Sequence, residues 1–247
     1  MPASQVGYTW NLNTWNQLMD IRTLPDRELS LYNNLKKQYS LHFESLSVGE
    51  STIHLLKPSN VEELLGGQDP FSDNCTFPFW AKLWESSIVL AHLLVGLPAG
   101  EGKRLLELGA GLGLPGIAAS VVGYDTVLTD SDQIILDFQQ VSAAANGNQE
   151  IEHKLLDWTA PSQMEPFDLI VGAEVLANEE IVDPLLDICK NYLVKDGTIY
   201  LAHDIKRKCL PLFLRKAETD FHVGSKKQSI RRDGIIVDIL VNRLQRN

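Results

Sequence analysis

The chain has 247 residues, of which 44% are apolar and 22% are charged, an ordinary composition for a globular protein. Its formal net charge of −10 argues against a dedicated nucleic-acid binder, because contacts to phosphates need a basic face. The apolar runs are too short to span a bilayer, and no basic and apolar signal segment follows Met1. We therefore expect a cytoplasmic protein without membrane segments.

The cysteines indicate thiols in a reducing compartment. Cys75, Cys189 and Cys209 are odd in number and widely spaced, so they predict neither a disulfide framework nor a metal site.

Basic residues concentrate near the C-terminus, where residues 201–247 hold 11 Lys and Arg against 5 Asp and Glu. The clusters 206–208, 226–227 and 231–232 can contact an acidic protein partner or RNA, although such runs are more often solvated surface.

Residues 1–75 are predicted to form an N-terminal extension that packs on the main domain. Pro25 with acidic residues behind it predicts a helix start, and two short runs around Gly49 predict a β-hairpin. A second helix is expected after Pro58, ending at 66–67. The aromatic residues of the first segment are expected either to contact the substrate or to cover the sheet edge or a helix; they are Tyr8, Trp10 and Trp15.

Residues 76–247 alternate between strand and helix patterns, which predicts a mostly parallel sheet with helices on both faces. A helix from Trp84 leads into the first strand, and a terminal antiparallel pair is expected at 221–227 and 235–243. The segments between them are strands at 126–129, 151–156, 167–174 and 198–202, and helices at 131–145, 178–193 and 206–220.

A glycine-rich turn follows the first strand of this region. The strand at 104–108 is apolar apart from Glu107, and Gly109, Gly111 and Gly113 come next at alternate positions. Pro115 then suits the start of a helix, whose unpaired N–H groups and positive dipole end favour a ligand. Glycines let the backbone turn sharply and approach that ligand closely. We expect a nucleotide-like molecule to bind here.

The neighbouring strand ends carry groups that suit such a ligand, because ligands of open α/β sheets bind at the carboxyl ends of strands. Asp130 can accept hydrogen bonds from ribose hydroxyls, although it is also a candidate helix N-cap. Asp157 can accept from an adenine amine, and Trp158 offers a flat apolar face. Ala173 and Glu174 end the next strand.

Two cofactors are compatible with this pattern. The spacing of Gly111, Gly113 and Gly116, with Asp130 downstream, matches the dinucleotide fingerprint. The negative charge of Glu107 is expected to repel a pyrophosphate and to suit a cationic sulfonium. S-adenosylmethionine, which has no phosphate, is therefore favoured over a nicotinamide dinucleotide.

The sequence resembles class I (seven-β-strand) methyltransferases, and within them the methyltransferase-like protein lysine methyltransferases, methyltransferase family 16. The matching segments are 79–91, 105–117, 128–130, Asn146, 156–158 and 167–176. The resemblance implies a Rossmann-like doubly wound sheet of seven strands with one antiparallel C-terminal strand, in a domain over 76–247. It also implies S-adenosylmethionine binding at the strand ends, through Trp84, Glu107, Gly109, Gly111, Asp130, Trp158 and Ala173. With Ala110, Gly113 and Asp157 these residues make up the predicted cofactor site.

One position departs from the family pattern. Lysine-methylating members carry an aromatic residue three positions after the acid at the fourth strand end, and here that run is Glu174 to Ala177. Glu174 is the candidate catalytic residue, which would hold the acceptor by hydrogen bonding; its alternatives are a cap for the helix near Asn178 or a cofactor contact. His203 and Asp204 can supply a general base or make ordinary loop hydrogen bonds.

Three functions remain open on these residues. The first is a protein N-methyltransferase acting on a lysine or other side chain of a specific partner protein. The second is a methyltransferase for a small molecule or another nucleophile, and the third is a non-catalytic interaction protein. No metal is expected, and a monomer is favoured.

Overall fold

The computed structural model describes residues 19–65, 78–98, 100–232 and 234–247. The boundary predicted at residue 75, the helix end at 66–67, Cys75 and the aromatic residues of the first 18 positions lie outside these ranges. The helices are α1 (Asp26–Lys36), α2 (Val61–Leu64), α3 (Glu85–Val95), α4 (Leu114–Val121), α5 (Gln133–Ala145), α6 (Val182–Tyr192) and α7 (Leu210–Ala217). The strands are β1 (Leu41–Val48), β2 (Ser51–Pro58), β3 (Arg104–Leu108), β4 (Asp125–Asp130), β5 (Glu152–Leu155), β6 (Phe167–Ala173), β7 (Leu193–Asp204), β8 (Phe221–Arg232) and β9 (Ile235–Arg246).

The main sheet has seven strands in the order β5-β4-β3-β6-β7-β9-β8. The first five are parallel, and β9 runs antiparallel to both of its neighbours. The predicted doubly wound sheet with one antiparallel C-terminal strand is confirmed. The strand order reverses between the parallel neighbours β3 and β6, since β4 and β5 lie on one side of them and β7 on the other. Sheets of this kind bind ligands at such a switch point.

Side-chain alternation along β3 divides the core between the two faces of the sheet. Leu105 packs in the cluster formed with α3 and α4, whereas Leu106 and Leu108 pack in the cluster formed with α6 and α7. Because both faces are covered, the parallel strands read as nearly continuous apolar runs.

The predicted hairpin around Gly49 is confirmed, with β1 and β2 paired from Leu41 opposite Pro58 to Val48 opposite Ser51. The end of α5 holds its second strand. Asn146 accepts from the His54 N–H at 2.9 Å and donates to the His54 carbonyl at 2.8 Å. The Ser142 hydroxyl accepts from the Leu56 N–H at 2.9 Å. Backbone N–H and C=O groups of β2 that are not paired with β1 are thus hydrogen-bonded to side chains at the end of α5.

Several predicted boundaries differ from the structure. The helix expected from Asn178 begins at Val182, because the Asn178 side chain accepts from the Ile181 N–H and forms a turn first. The helix expected at 206–220 is limited to α7, since residues 204–207 form a hydrogen-bonded turn. The two final strands are longer than predicted and extend to a turn at Gly234.

None of the helices among the described residues is long and apolar enough to cross a membrane.

Candidate functional site

The glycine turn has the backbone that its sequence predicts. Gly109 and Gly111 both have φ of +53°, a left-handed conformation that residues with a side chain rarely adopt. A Cβ at Gly111 would lie 3.2 Å from the carbonyl oxygen of Trp80, and one at Gly109 would lie 3.5 Å from the Trp158 ring. Neighbouring groups therefore approach the backbone closely, and α4 starts directly after the turn.

A cavity of about 410 Å³ opens over this turn at the carboxyl ends of β3, β4 and β6. We call it the glycine cavity. Eight of the predicted cofactor contacts line it: Trp84, Gly109, Ala110, Gly111, Gly113, Asp130, Trp158 and Ala173. Glu174 also lines it, whereas Glu107 and Asp157 do not.

Asp130 is the carboxylate of the glycine cavity. One of its oxygens accepts from the Gly111 N–H at 2.9 Å and the other from the Ser131 N–H at 2.8 Å. Burial raises the pKa of this carboxyl, and the two backbone hydrogen bonds oppose that rise. The alternative in which Asp130 caps the next helix is wrong, because the cap of α5 is Asp132, which accepts from the Ile134 N–H.

The carboxyl of Glu107 was expected to face the ligand, but it lies on the side of the turn away from the glycine cavity. It is 1% exposed, packs beneath α4 and accepts from the Gly116 N–H at 2.7 Å. Burial raises its pKa to about 8, so that the folded protein favours the neutral acid. The expectation that Glu107 presents negative charge to the ligand is therefore corrected: its side chain points under α4 and supports the turn from below.

The buried carboxyl of Glu107 predicts a pH-dependent stability. Its pKa rises from 4.5 to about 8 on folding, so the folded state binds more protons than the unfolded state between these values. The free energy of unfolding then falls as pH rises through this window. We expect Glu107→Gln, which keeps an acceptor for Gly116, to gain stability relative to the unsubstituted protein between pH 5 and pH 8. Urea unfolding at both pH values measures this difference, and a constant difference would contradict the assignment.

Asp157 and Trp158, which follow β5, point in different directions. The carboxylate of Asp157 is exposed and accepts from both the N–H and the hydroxyl of Thr159, at 2.8 and 2.7 Å. These hydrogen bonds lower its pKa, the hydroxyl bond most. Trp158 instead turns its ring towards Gly109 and lines the glycine cavity. Only the tryptophan of this pair is brought to the site.

Two tryptophans of the segment before α3 also line the glycine cavity. Trp84 precedes α3, and its ring N–H donates to the Phe79 carbonyl at 3.0 Å. Trp80 was not predicted as a site residue, yet it lines the glycine cavity with its ring centroid 5.0 Å from that of Phe138. Its place among the aromatics of the 79–84 segment was the available signal, but sequence alone did not distinguish a cavity wall from core packing.

Glu174 adopts φ of +57°, the one positive φ of a non-glycine residue in the described part of the chain. One carboxylate oxygen accepts from the Asp204 N–H at 2.6 Å, and the other pairs with the guanidinium of Arg207. The side chain is only 7% exposed. Such strained backbone costs about 1–3 kcal/mol and is often found at functional sites. The helix-cap alternative is wrong, since the carboxylate contacts the segment after β7 and not α6.

A second cavity of about 570 Å³ adjoins the glycine cavity. The two share five lining residues: Lys82, Trp84, Glu174, Ala177 and Arg207. Ala177 carries only a methyl group at this junction. The ion pair of Glu174 and Arg207 therefore lies where a ligand in one cavity would meet a ligand in the other.

His203 does not lie at the rim. It belongs to β7, opposite Leu240 of β9, and is completely buried. Burial lowers the pKa of its imidazole to about 3, and neither ring nitrogen has a hydrogen-bond partner among the described residues. Both expectations for His203, general base and loop hydrogen bonding, are wrong, because the strand continues through this residue. Asp204 does line the second cavity.

No group of three or more His, Cys, Asp and Glu side chains within the described ranges is arranged to hold a metal ion.

Known proteins that resemble this chain in sequence or in fold are methyltransferases. The profile of the family described as lysine methyltransferase matches residues 76–221. Protein N-lysine methyltransferase METTL21A of Danio rerio is 30% identical over 161 residues, covering 62% of this chain and 73% of the relative. The histidine protein methyltransferase 1 homolog of Dictyostelium discoideum is 32% identical over 128 residues, covering 49% of this chain and 41% of the relative. The TehB-like SAM-dependent methyltransferase of Corynebacterium glutamicum superposes with a TM-score of 0.52 at 23% identity, covering 64% of this chain and 88% of that one.

Proposed function

This chain belongs to the lysine methyltransferase family and is an S-adenosylmethionine-dependent methyltransferase, and we propose that it methylates a side-chain nitrogen of a specific partner protein. The observation that carries the proposal is the junction of the two cavities at Glu174 and Arg207. The glycine cavity suits the methyl donor, and the second cavity suits the acceptor. S-adenosylmethionine supplies an electrophilic methyl group on a sulfonium.

The glycine cavity fits a cofactor that has no phosphate. The N–H of Gly111 is taken by Asp130, the N–H of Gly116 is taken by Glu107, and Pro115 has none. Few backbone N–H donors of the glycine turn and of the start of α4 are therefore left to bind a pyrophosphate. A dinucleotide would need such donors for its pyrophosphate.

The residues of the glycine cavity have distinct proposed roles. Each oxygen of Asp130 receives one backbone hydrogen bond and retains capacity for a ribose hydroxyl. The rings of Trp158 and Trp80 offer apolar faces for adenine, and Trp84 forms the wall between the two cavities. The remaining proposed contacts come from the backbone of 109–113 and from Ala173. Asp157 contributes only if it turns from Thr159 towards the edge of the cavity.

The acceptor is proposed to be a nitrogen, because the relatives named above are a protein N-lysine methyltransferase and a histidine protein methyltransferase homolog. Ala177 leaves open the space beside Glu174 where lysine-methylating members place an aromatic ring. The site therefore has room for an acceptor other than lysine.

Methyl transfer depends mainly on positioning, since it needs an in-line nucleophile and exclusion of water. Glu174 is suited to this role because Arg207 and the Asp204 N–H fix its carboxylate, while the oxygen bonded to Asp204 retains a lone pair. We propose that this oxygen accepts a hydrogen bond from the acceptor nitrogen.

Glu174→Gln is expected to lower turnover by about tenfold or more while the affinity for S-adenosylmethionine changes by less than about threefold. The amide keeps the size of the side chain but loses the charge that holds Arg207. Single-turnover methylation and calorimetric titration of the cofactor measure the two quantities. Unchanged turnover at unchanged cofactor affinity would exclude this role.

The function itself is tested by incubating the protein with methyl-labelled S-adenosylmethionine and a lysate of its source cells depleted of this chain. A discrete labelled protein band is expected, and Asp130→Ala serves as the inactive control. Label found only in small molecules would instead show a small-molecule methyltransferase. No label despite measured cofactor binding would indicate a non-catalytic interaction protein.

A cytoplasmic, monomeric protein is part of the proposal. Cys189 and Cys209 are both free and buried, as expected in a reducing compartment.

A further inference from the structure

The rim of the second cavity carries several basic side chains, although the protein as a whole is acidic. Lys82, Lys206 and Lys208 are exposed, line the cavity and have no carboxylate within 4 Å among the residues that the structure describes. Of the three acidic residues that line the cavity, Glu85 is within 3.5 Å of Arg232 and Glu174 pairs with Arg207, whereas Asp204 accepts, among the described residues, only from the backbone N–H of Lys206; five Lys and Arg residues line the same cavity. The rim is therefore basic on a chain whose net charge is −10.

A hydrogen-bond donor lies on the wall of the same cavity. Ser86 is 1% exposed, and its hydroxyl has no hydrogen-bond partner in the described part of the chain. It stands in the first turn of α3, where the backbone N–H groups and the helix dipole favour negative charge. Because a buried hydroxyl without a partner is costly, the cavity favours an occupant that accepts a hydrogen bond there.

Exposed isoleucines flank the lysines. Ile205 is 46% exposed and Ile235 is 66% exposed. Ile235 lines the second cavity, and the Ile205 N–H donates to the carbonyl of Asp238 on β9 at 3.0 Å. The loop after β7 and the end of the β8–β9 hairpin thus present apolar and basic side chains together.

We propose that the second cavity and this rim bind a segment of the partner protein that combines acidic residues with aliphatic ones. The inference rests on the proposed function, since it describes the substrate of that site. Charge complementarity selects acidic residues for the three lysines, the Ser86 hydroxyl suits a carboxylate, and the isoleucines suit aliphatic side chains. RNA is also anionic, but aliphatic isoleucines provide no stacking surface for bases, and the net negative charge of the chain opposes it.

The probe is a fluorescein-labelled peptide of four Glu-Glu-Leu repeats, compared with the matching Gln-Gln-Leu peptide and with a labelled uridine 20-mer. Fluorescence anisotropy is measured on the full chain and on two double variants of equal charge change. One is Lys206→Gln with Lys208→Gln; the control is Lys36→Gln with Lys37→Gln, two exposed residues at the end of α1. Calorimetric titration with S-adenosylmethionine is run on each protein.

The acidic peptide is expected to bind more tightly than its Gln-Gln-Leu counterpart, and more weakly as salt rises. The Lys206 and Lys208 variant is expected to lose affinity by roughly five- to tenfold, whereas the control stays within about twofold. Equal affinity for both peptides, equal losses in both variants, or tighter binding of the uridine 20-mer would overturn the proposal. Peptide binding does not require methyl transfer, so failure of cofactor binding alone would count against the proposed function and not against this surface.

Discussion

Asp130→Ala is expected to weaken the binding of S-adenosylmethionine by about a hundredfold or more. The carboxylate lines the glycine cavity and is proposed to accept hydrogen bonds from the ribose hydroxyls. Hydrogen bonds to a charged group contribute about 1.5–3 kcal/mol each, and about 2.7 kcal/mol corresponds to a hundredfold in affinity. The substitution also removes the acceptor for the Gly111 N–H, which loosens the glycine turn. Isothermal titration with the cofactor measures the effect.

The matched control for this prediction is Asp132→Ala, which removes the same charge two residues further along. Asp132 caps α5 and does not line the cavity, so its loss is expected to cost about 1 kcal/mol of stability and little cofactor affinity. Asp130→Asn separates the two roles of Asp130, because the amide oxygen can still accept from Gly111. A change of less than threefold in Asp130→Ala would remove this residue from the proposed site.

Gly116→Ala is expected to lower the free energy of unfolding by about 2–3 kcal/mol, although alanine is the better helix former. The new Cβ would lie 2.3 Å from the Leu128 side chain and 2.7 Å from the carboxyl of Glu107. Both neighbours are at most 1% exposed, so neither has room to move aside. In a chain of 247 residues this corresponds to roughly 5–10 °C in the midpoint of thermal unfolding.

Gly224→Ala is the control for packing, since a Cβ there would meet nothing within 4 Å. Gly224 lies in β8, where alanine is expected to change stability by less than about 0.5 kcal/mol. Urea unfolding of the three proteins measures the differences. Equal stabilities for Gly116→Ala and the unsubstituted protein would show that Glu107 and Leu128 adjust freely, and would contradict the tight packing under α4.

The sequence predicted the sheet and the place of the site because both follow from local rules. Strand and helix periodicity identified the alternating elements, and the carboxyl ends of parallel strands meet at one edge of a sheet. The left-handed turn at Gly109 and Gly111 follows from the residue type itself. Asp130, Trp158 and Ala173 therefore line one cavity although they are distant in the chain.

The direction of individual side chains depended on tertiary packing. Glu107 alternates with Leu106 and Leu108, so its side chain lies on the same face of the sheet as Leu105. The hydrogen bond of its carboxyl to the Gly116 N–H depends on where α4 packs, which the sequence does not indicate. The partner of Glu174 lies 33 residues away at Arg207. No local pattern indicates such a pair, because it forms only when β6 and β7 align in the sheet.

The contacts between α5 and the hairpin also oppose the pairing of another chain with the outer edge of β2. An outer strand normally exposes unpaired N–H and C=O groups to which another chain can add, which is a route to aggregation. On β2 the side chains of Asn146 and Ser142 take the N–H groups of His54 and Leu56 and the His54 carbonyl. These two side chains take the place of a third strand. Unlike a strand, they offer no free backbone edge to which a further chain can add. Because they bind the main chain and not side chains, this protection holds for any residue at positions 54 and 56 except proline, which has no N–H.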